Sequence, residues 1–240
     1  MGADREEVER IISLGISLLE TQREVRASIR KKWKKNADRL LDAHCSVLGV
    51  TASLLDKHDG EPVETTVEID GRLALTASFV QGIDACEVSI SEGLYVQAAN
   101  LLKQEMETVS ATIEFREGTR KKKKSANVKN LPWGLATLFG RMNDAAHVVD
   151  NELLNGIISS RRSAEIVGAT TSPQYNEELA FMLYGLQVSL MMLNALEISI
   201  LLQEMYDDQM SEDEARILIN AFQMLVDDSW LEDPMKEVSA

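Results

Sequence analysis

Aromatic residues are scarce in this sequence, at 5% of 240 positions, and proline appears only four times. With 13 glycines besides, so few punctuating residues cannot supply the frequent turns of a loop-rich or all-β fold. Two cysteines, Cys45 and Cys86, stand without CxxC or Cys/His spacing. That excludes a zinc site and points to reduced thiols in a packed interior. Three histidines leave little room for metal chemistry, and HExxH, GxSxG, a P-loop and GxGxxG are all missing. A carboxylate-bridged metal bundle needs Glu-x-x-His on two helices, whereas Asp144-x-x-His147, with its shorter carboxylate, occurs once. Neither a metal nor a cofactor is therefore predicted. The opening MGADREEVER has no cationic stretch followed by an apolar one. No signal peptide is read there, and a cytoplasmic location is expected.

Aliphatic residues in helical spacing are plentiful. Val8, Ile11, Ile12, Leu18 and Leu19 fall near one helical face, and the stripe continues through Val25, Ile29 and Trp33. Residues 1–57 read as one long helix or a helix pair. The next stretch, 58–71, breaks at Asp59-Gly60, Pro62 and Asp70-Gly71, and its TTVEI suits a short extended piece. A second apolar run spans 73–115, where Gly82 and Gly93 offer places for another helix to approach closely. Further helices are predicted over 133–158, 174–208 and, after the capping-box pair Ser211 and Glu214, 212–229. The expected fold is all-α, a bundle of five to six mostly long antiparallel helices around one core. Its parts are 1–57, a core over 72–160 with a basic loop at 116–130, and an acidic helical hairpin at 174–230 packed on that core.

The stretch 179–196 is uncharged for 18 residues, the lower limit for a membrane span. Its flanks are Glu177, Glu178 and Glu197 rather than cations, and Gln187 and Asn194 lie within it. A buried or oligomer-facing helix is predicted, with no membrane partner.

Charge divides the chain unevenly. Residues 1–130 carry 20 cations and 21 anions, whereas residues 131–240 carry 5 and 18. The acidic second half disfavours nucleic acid and suits a protein partner. Any contact with RNA must come from basic clusters in the first half. One comprises Arg116, Arg120, Lys121, Lys122, Lys123, Lys124 and Lys129, which would bind phosphates and release counterions. The other, at 26–39, surrounds Trp33, which its spacing places in the core.

The candidate chemistry sits in GRMNDAAHVV, residues 140–149. His44, among apolar neighbours, reads as a core or helix-surface histidine, and His58 in its HDG turn as solvent-exposed. His147 remains, six residues after Arg141 on a predicted helix. Arg141-Met-Asn-Asp-Ala-Ala-His147 resembles the Arg-x4–6-His motif of the HEPN superfamily, all-α domains that include metal-independent ribonucleases of prokaryotic conflict systems. The resemblance covers about 72–160 and implies a composite ribonuclease site and a role in stress or phage defence.

In such a site His147 would move protons in attack by the RNA 2′-hydroxyl. Arg141 would hold the phosphate, Asn143 would orient phosphate or imidazole, and Asp144 would fix the imidazole tautomer. Positions 141 and 147 lie about 120° apart around a helix, so one helix cannot aim both at one phosphate. A homodimer with 133–158 at its two-fold axis is therefore predicted. The rival to this endoribonuclease is a non-catalytic helical dimerisation and protein-interaction module, favoured by Met142 directly after Arg141 and by the acidic second half.

Overall fold

The computed structural model describes residues 5–121, 123–146, 159–161 and 167–228, with 141–146, 159–161 and 167–169 described by their backbone course. The fold is all-α, and seven α-helices are present among these residues. The N-terminal stripe forms a helix pair, α1 (Arg5–Asn36) and α2 (Asp38–Asp56). Hydrogen bonding runs almost unbroken across their junction, from Ala37 N–H to Trp33 O and from Leu41 N–H to Ala37 O. The interruption falls between Asn36 and Asp38, side chains that compete with the helix for backbone partners.

The extended piece expected at TTVEI stops at Thr66. Its backbone is extended, but its hydroxyl accepts from Ile69 N–H and so starts α3 (Val67–Ser91). A good N-cap followed by acidic Glu68 and Asp70 in the first turn outweighs the β-branched composition. The 73–115 run is likewise two helices, because Gly93 at φ +78° turns the chain and Leu94 N–H reaches back to Ser89 O. The second is α4 (Tyr95–Arg116). A Cβ at Gly93 would meet Gln174 O at 2.9 Å and Ile29 Cδ1 at 3.1 Å, so this turn also admits a neighbouring segment. Gly82 has no such constraint, its nearest atom being Glu105 Oε1 at 3.8 Å.

Beyond the basic loop, α5 (Leu135–Ala146) begins two residues later than its predicted start at 133. The turn before it holds Trp133 at φ +60°, a conformation costly for a bulky residue. Packing of Trp133 on Phe222, with ring centroids 5.3 Å apart, holds it there. Residues 147–158, the remainder of the predicted helix, lie outside the described residues. Between α5 and the next helix the chain pairs briefly with itself, β1 (Ser159–Arg161) antiparallel to β2 (Val167–Ala169).

The last two helices are α6 (Glu177–Tyr206), capped by Asn176, and α7 (Glu212–Asp227). Ser211 and Glu214 form the capping box, with Ser211 N–H donating to Glu214 Oε2 at 2.7 Å and Glu214 N–H to Ser211 Oγ at 3.3 Å. α6 is the axis of the bundle, packed by α2, α3 and α4. Like α3 it is long and apolar enough to cross a membrane, but 83% of its most apolar window is buried in the bundle. Its methionines Met191 and Met192 are core, as is Trp33, which packs on Phe181 and Tyr184.

Candidate functional site

Three places bring chemistry-bearing residues together. The first is the predicted basic loop and the helix after it. Glu114, buried near the end of α4, organises this loop. Its Oε2 accepts from Arg120 Nη1 at 3.0 Å, its Oε1 from Asn127 N–H at 2.7 Å, and its carbonyl from the N–H groups of Thr119 and Arg120. Arg120 Nη1 also donates to Lys124 O at 2.9 Å. Arg116 Nε donates to both oxygens of Glu197 on α6, at 3.2 and 3.0 Å.

The two arginines assigned to phosphate are thus committed to internal carboxylates. Lys121, Lys123, Lys124 and Lys129 are exposed, and Lys122 lies outside the described residues. A cavity of about 400 Å³ opens here, and Lys121, Lys124, Glu114 and Glu117 are among the residues that line it. The loop is therefore a tied structure with exposed lysines and not a freely cationic tether. Glu114 went unread in the sequence because a carboxylate inside an apolar helical run looks solvent-facing until a loop folds over it.

α5 carries positions 141, 143 and 144. By helical rotation, positions 141 and 144 are about 60° apart around the axis, and positions 141 and 143 about 160°. His147 lies outside the described residues.

The second place is a set of buried polar groups contributed by α2, α3, α4 and α6. Glu105 is buried, neither carboxylate oxygen has a hydrogen-bond partner of ordinary geometry, and burial pushes its pKa up to about 8. The neighbouring Cys86 thiol is raised well above its usual value, by burial and then by the Glu105 charge. A thiol held protonated is a poor nucleophile. His44, buried with its ring 5.3 Å from that of Tyr184, is lowered to about 4 by burial, and its Nδ1 lacks a hydrogen-bond partner. It is a core histidine, as its apolar neighbours predicted, but not a fully satisfied one. At neutral pH the Glu105 carboxyl and the Cys86 thiol are thus mainly protonated and the His44 imidazole is uncharged.

The third place corrects the view of His58 as merely solvent-exposed. Its Nδ1 lies 2.8 Å from Glu61 Oε2 and its Nε2 3.2 Å from Asp208 Oδ2, while its ring stacks on Tyr206 at 4.0 Å. Tyr206 OH donates to Glu61 O at 3.0 Å, and Lys57 Nζ donates to Gln209 O at 2.6 Å. This cluster latches the turn after α2 to the turn before α7. The Glu61 hydrogen bond, with Asp208 adding to it, raises the His58 pKa above the ordinary imidazole value.

A raised pKa adds stability that is complete below the unfolded value of about 6.5 and fades as pH rises through the folded value. The melting-temperature gap between wild type and His58→Gln is thus expected to shrink as pH rises from slightly acid to alkaline. A gap independent of pH would show that protonated His58 does not close the latch.

Acidic groups of the second half answer cations of the first in several places. Arg39 meets Asp227 and Asp228, Arg72 meets Glu204, Arg116 meets Glu197 and Lys57 meets Glu214. Part of the charge asymmetry is consumed inside the fold, which leaves a smaller acidic surface for a protein partner than the sequence suggests. Among the described residues no group of three or more His, Cys, Asp or Glu is arranged to hold a metal ion.

The most conspicuous surface is on α1. Its stripe is buried at Ile29 and Trp33, half-buried at Val25 and Gln22, and open from Leu19 outward. Val8, Ile11, Ile12, Leu14, Ile16, Leu18 and Leu19 are all exposed, at 40–59% of their full area. No family model, no characterised protein and no solved structure matches the chain.

Proposed function

We propose that this chain is a helical assembly module whose working surface is the outer half of α1. The observation that carries this reading is the row of seven exposed aliphatic side chains on that half-helix. Single exposed leucines are ordinary on a soluble surface, whereas a contiguous apolar patch of this kind marks an interaction site. The internal use of Arg116 and Arg120 takes support away from their predicted role in holding RNA phosphates.

A second reading keeps the HEPN-type, metal-independent endoribonuclease. The exposed Lys121, Lys123, Lys124 and Lys129 favour it, since they precede the helix bearing Arg141 and α5 packs on α4, the helix from which their loop departs. One experiment separates the two. Purified full-length protein is incubated with mixed RNA in EDTA, beside an Arg141→Ala/His147→Ala variant. The assembly-module reading expects no difference between them. Cleavage by wild type that leaves 2′,3′-cyclic phosphate ends and disappears in the variant would overturn it in favour of the nuclease.

A further inference from the structure

We propose that two copies of this chain pair antiparallel along the outer half of α1, about a two-fold axis at Gly15. This deepens the assembly-module reading, rests on it, and names the partner as a second copy. The first argument is a symmetry in the sequence. Read outward from Gly15, Leu14 answers Ile16, Ser13 answers Ser17, Ile12 answers Leu18 and Ile11 answers Leu19. In an isologous contact between antiparallel helices centred there, position i of one copy lies level with position 30 − i of the other, so this pattern sets aliphatic against aliphatic and serine against serine.

Helical rotation turns the pattern into packing. With Gly15 at the centre of the contact, Ile11, Ile12, Leu18 and Leu19 all lie within about 60° of the line joining the two axes, and both serines point away from it. Ile12 and Leu19 of the second copy meet on one side of the seam, Ile11 and Leu18 of the second copy on the other. Gly15 faces its equivalent at the point of closest approach. Nothing in the single chain lies within 4 Å of a Cβ at Gly15. An exposed mid-helix glycine costs about 1 kcal/mol relative to alanine, which nothing within one copy offsets.

Charge and area agree with this arrangement. Glu9 falls on the same side of the seam as Arg23 of the second copy, about 3 Å apart along the axis at 1.5 Å rise per residue. A parallel pair would instead bring the exposed Lys31, Lys32, Lys34 and Lys35 of both copies to the same end. Val8, Ile11, Ile12, Leu18 and Leu19, the exposed side chains on the seam face, leave on the order of 100 Å² each uncovered, roughly 1,000 Å² from two copies, about the lower bound for a specific interface. α1 leaves its own body at Gln22, where Gln22 Nε2 donates to Thr171 O at 3.0 Å, so residues 5–21 are available to the second copy.

The test uses the full chain with Cys45, the exposed native thiol, changed to Ser. Light scattering at tens of micromolar is expected to give a dimer, and Leu18→Glu to weaken it on the order of a hundredfold with unchanged helicity. Under mild oxidation, Ile12→Cys and Leu19→Cys chains are expected to cross-link when mixed and not when either is alone. Cross-links within each single variant would overturn the antiparallel arrangement. A monomer at that concentration would overturn self-pairing while leaving a module with a different partner, whereas failure of the module reading itself is read from RNA cleavage in EDTA.

Discussion

Glu105→Gln is expected to make the protein more stable at pH 8 than wild type, by roughly 4 kcal/mol relative to their difference at pH 5. The carboxyl is 5% exposed, and its pKa of about 8 sits far above the unfolded value. A group whose folded pKa is raised contributes stability that is complete below its unfolded pKa, about 4.5 for Glu, and is lost as pH climbs through the folded value. Between those limits unfolding releases a proton, and wild type loses about 1.4 kcal/mol per pH unit while Gln loses none.

The amide matches the carboxyl in shape, so the two proteins should be near equal at pH 5 and separate by roughly 10 °C in Tm at pH 8. His44, lowered to about 4, opposes this trend by weakening the fold as pH falls from about 6.5. Both proteins carry that term, so it cancels in their difference. Thermal melts across this range check the expectation, and parallel curves would show that Glu105 reaches a partner or solvent.

Trp33→Ala is expected to cost about 3–5 kcal/mol, read as a lower urea midpoint. Trp33 has no exposed surface and packs edge-on against Phe181 at 5.1 Å and tilted against Tyr184 at 4.7 Å. It is the point where α1 is bolted to α6, so alanine would leave a cavity that two helices cannot close without moving. Trp33→Phe keeps the stack and removes an indole N–H that has no partner, so its cost should be clearly smaller. The same pair of variants decides whether the residue serves as a base-stacking platform. Near wild-type stability together with lost RNA binding would move Trp33 from the core to a nucleic-acid surface.

Much of the bundle was legible as pattern. The capping box at Ser211 and Glu214, the burial of α6 and the placement of Trp33 follow from spacings of three and four, because one helix turn is a local property. The helix start at Thr66 and the turn at Gly93 are hard to read from composition for a common reason. A hydroxyl that caps and a glycine that turns depend on a few hydrogen bonds rather than on average composition. His58 shows a different limit, since Glu61 is near in sequence but Asp208 and Tyr206 arrive from 150 and 148 positions away.

The residue order by itself determined the helical class, the period of every apolar stripe and the near-palindrome around Gly15. Those properties depend on neighbours within a few turns. Which part of a stripe is core and which is left for another molecule was decided by the tertiary structure alone. Ile29 and Ile11 have equal claims by spacing, but α3 and α6 reach α1 near Ile29 and Trp33 and end well short of Ile11. Arg116 and Arg120 likewise read as free cations until Glu197 and Glu114 were brought against them. Burial and charge pairing depend on what folds over a residue, and that information is spread over the whole chain.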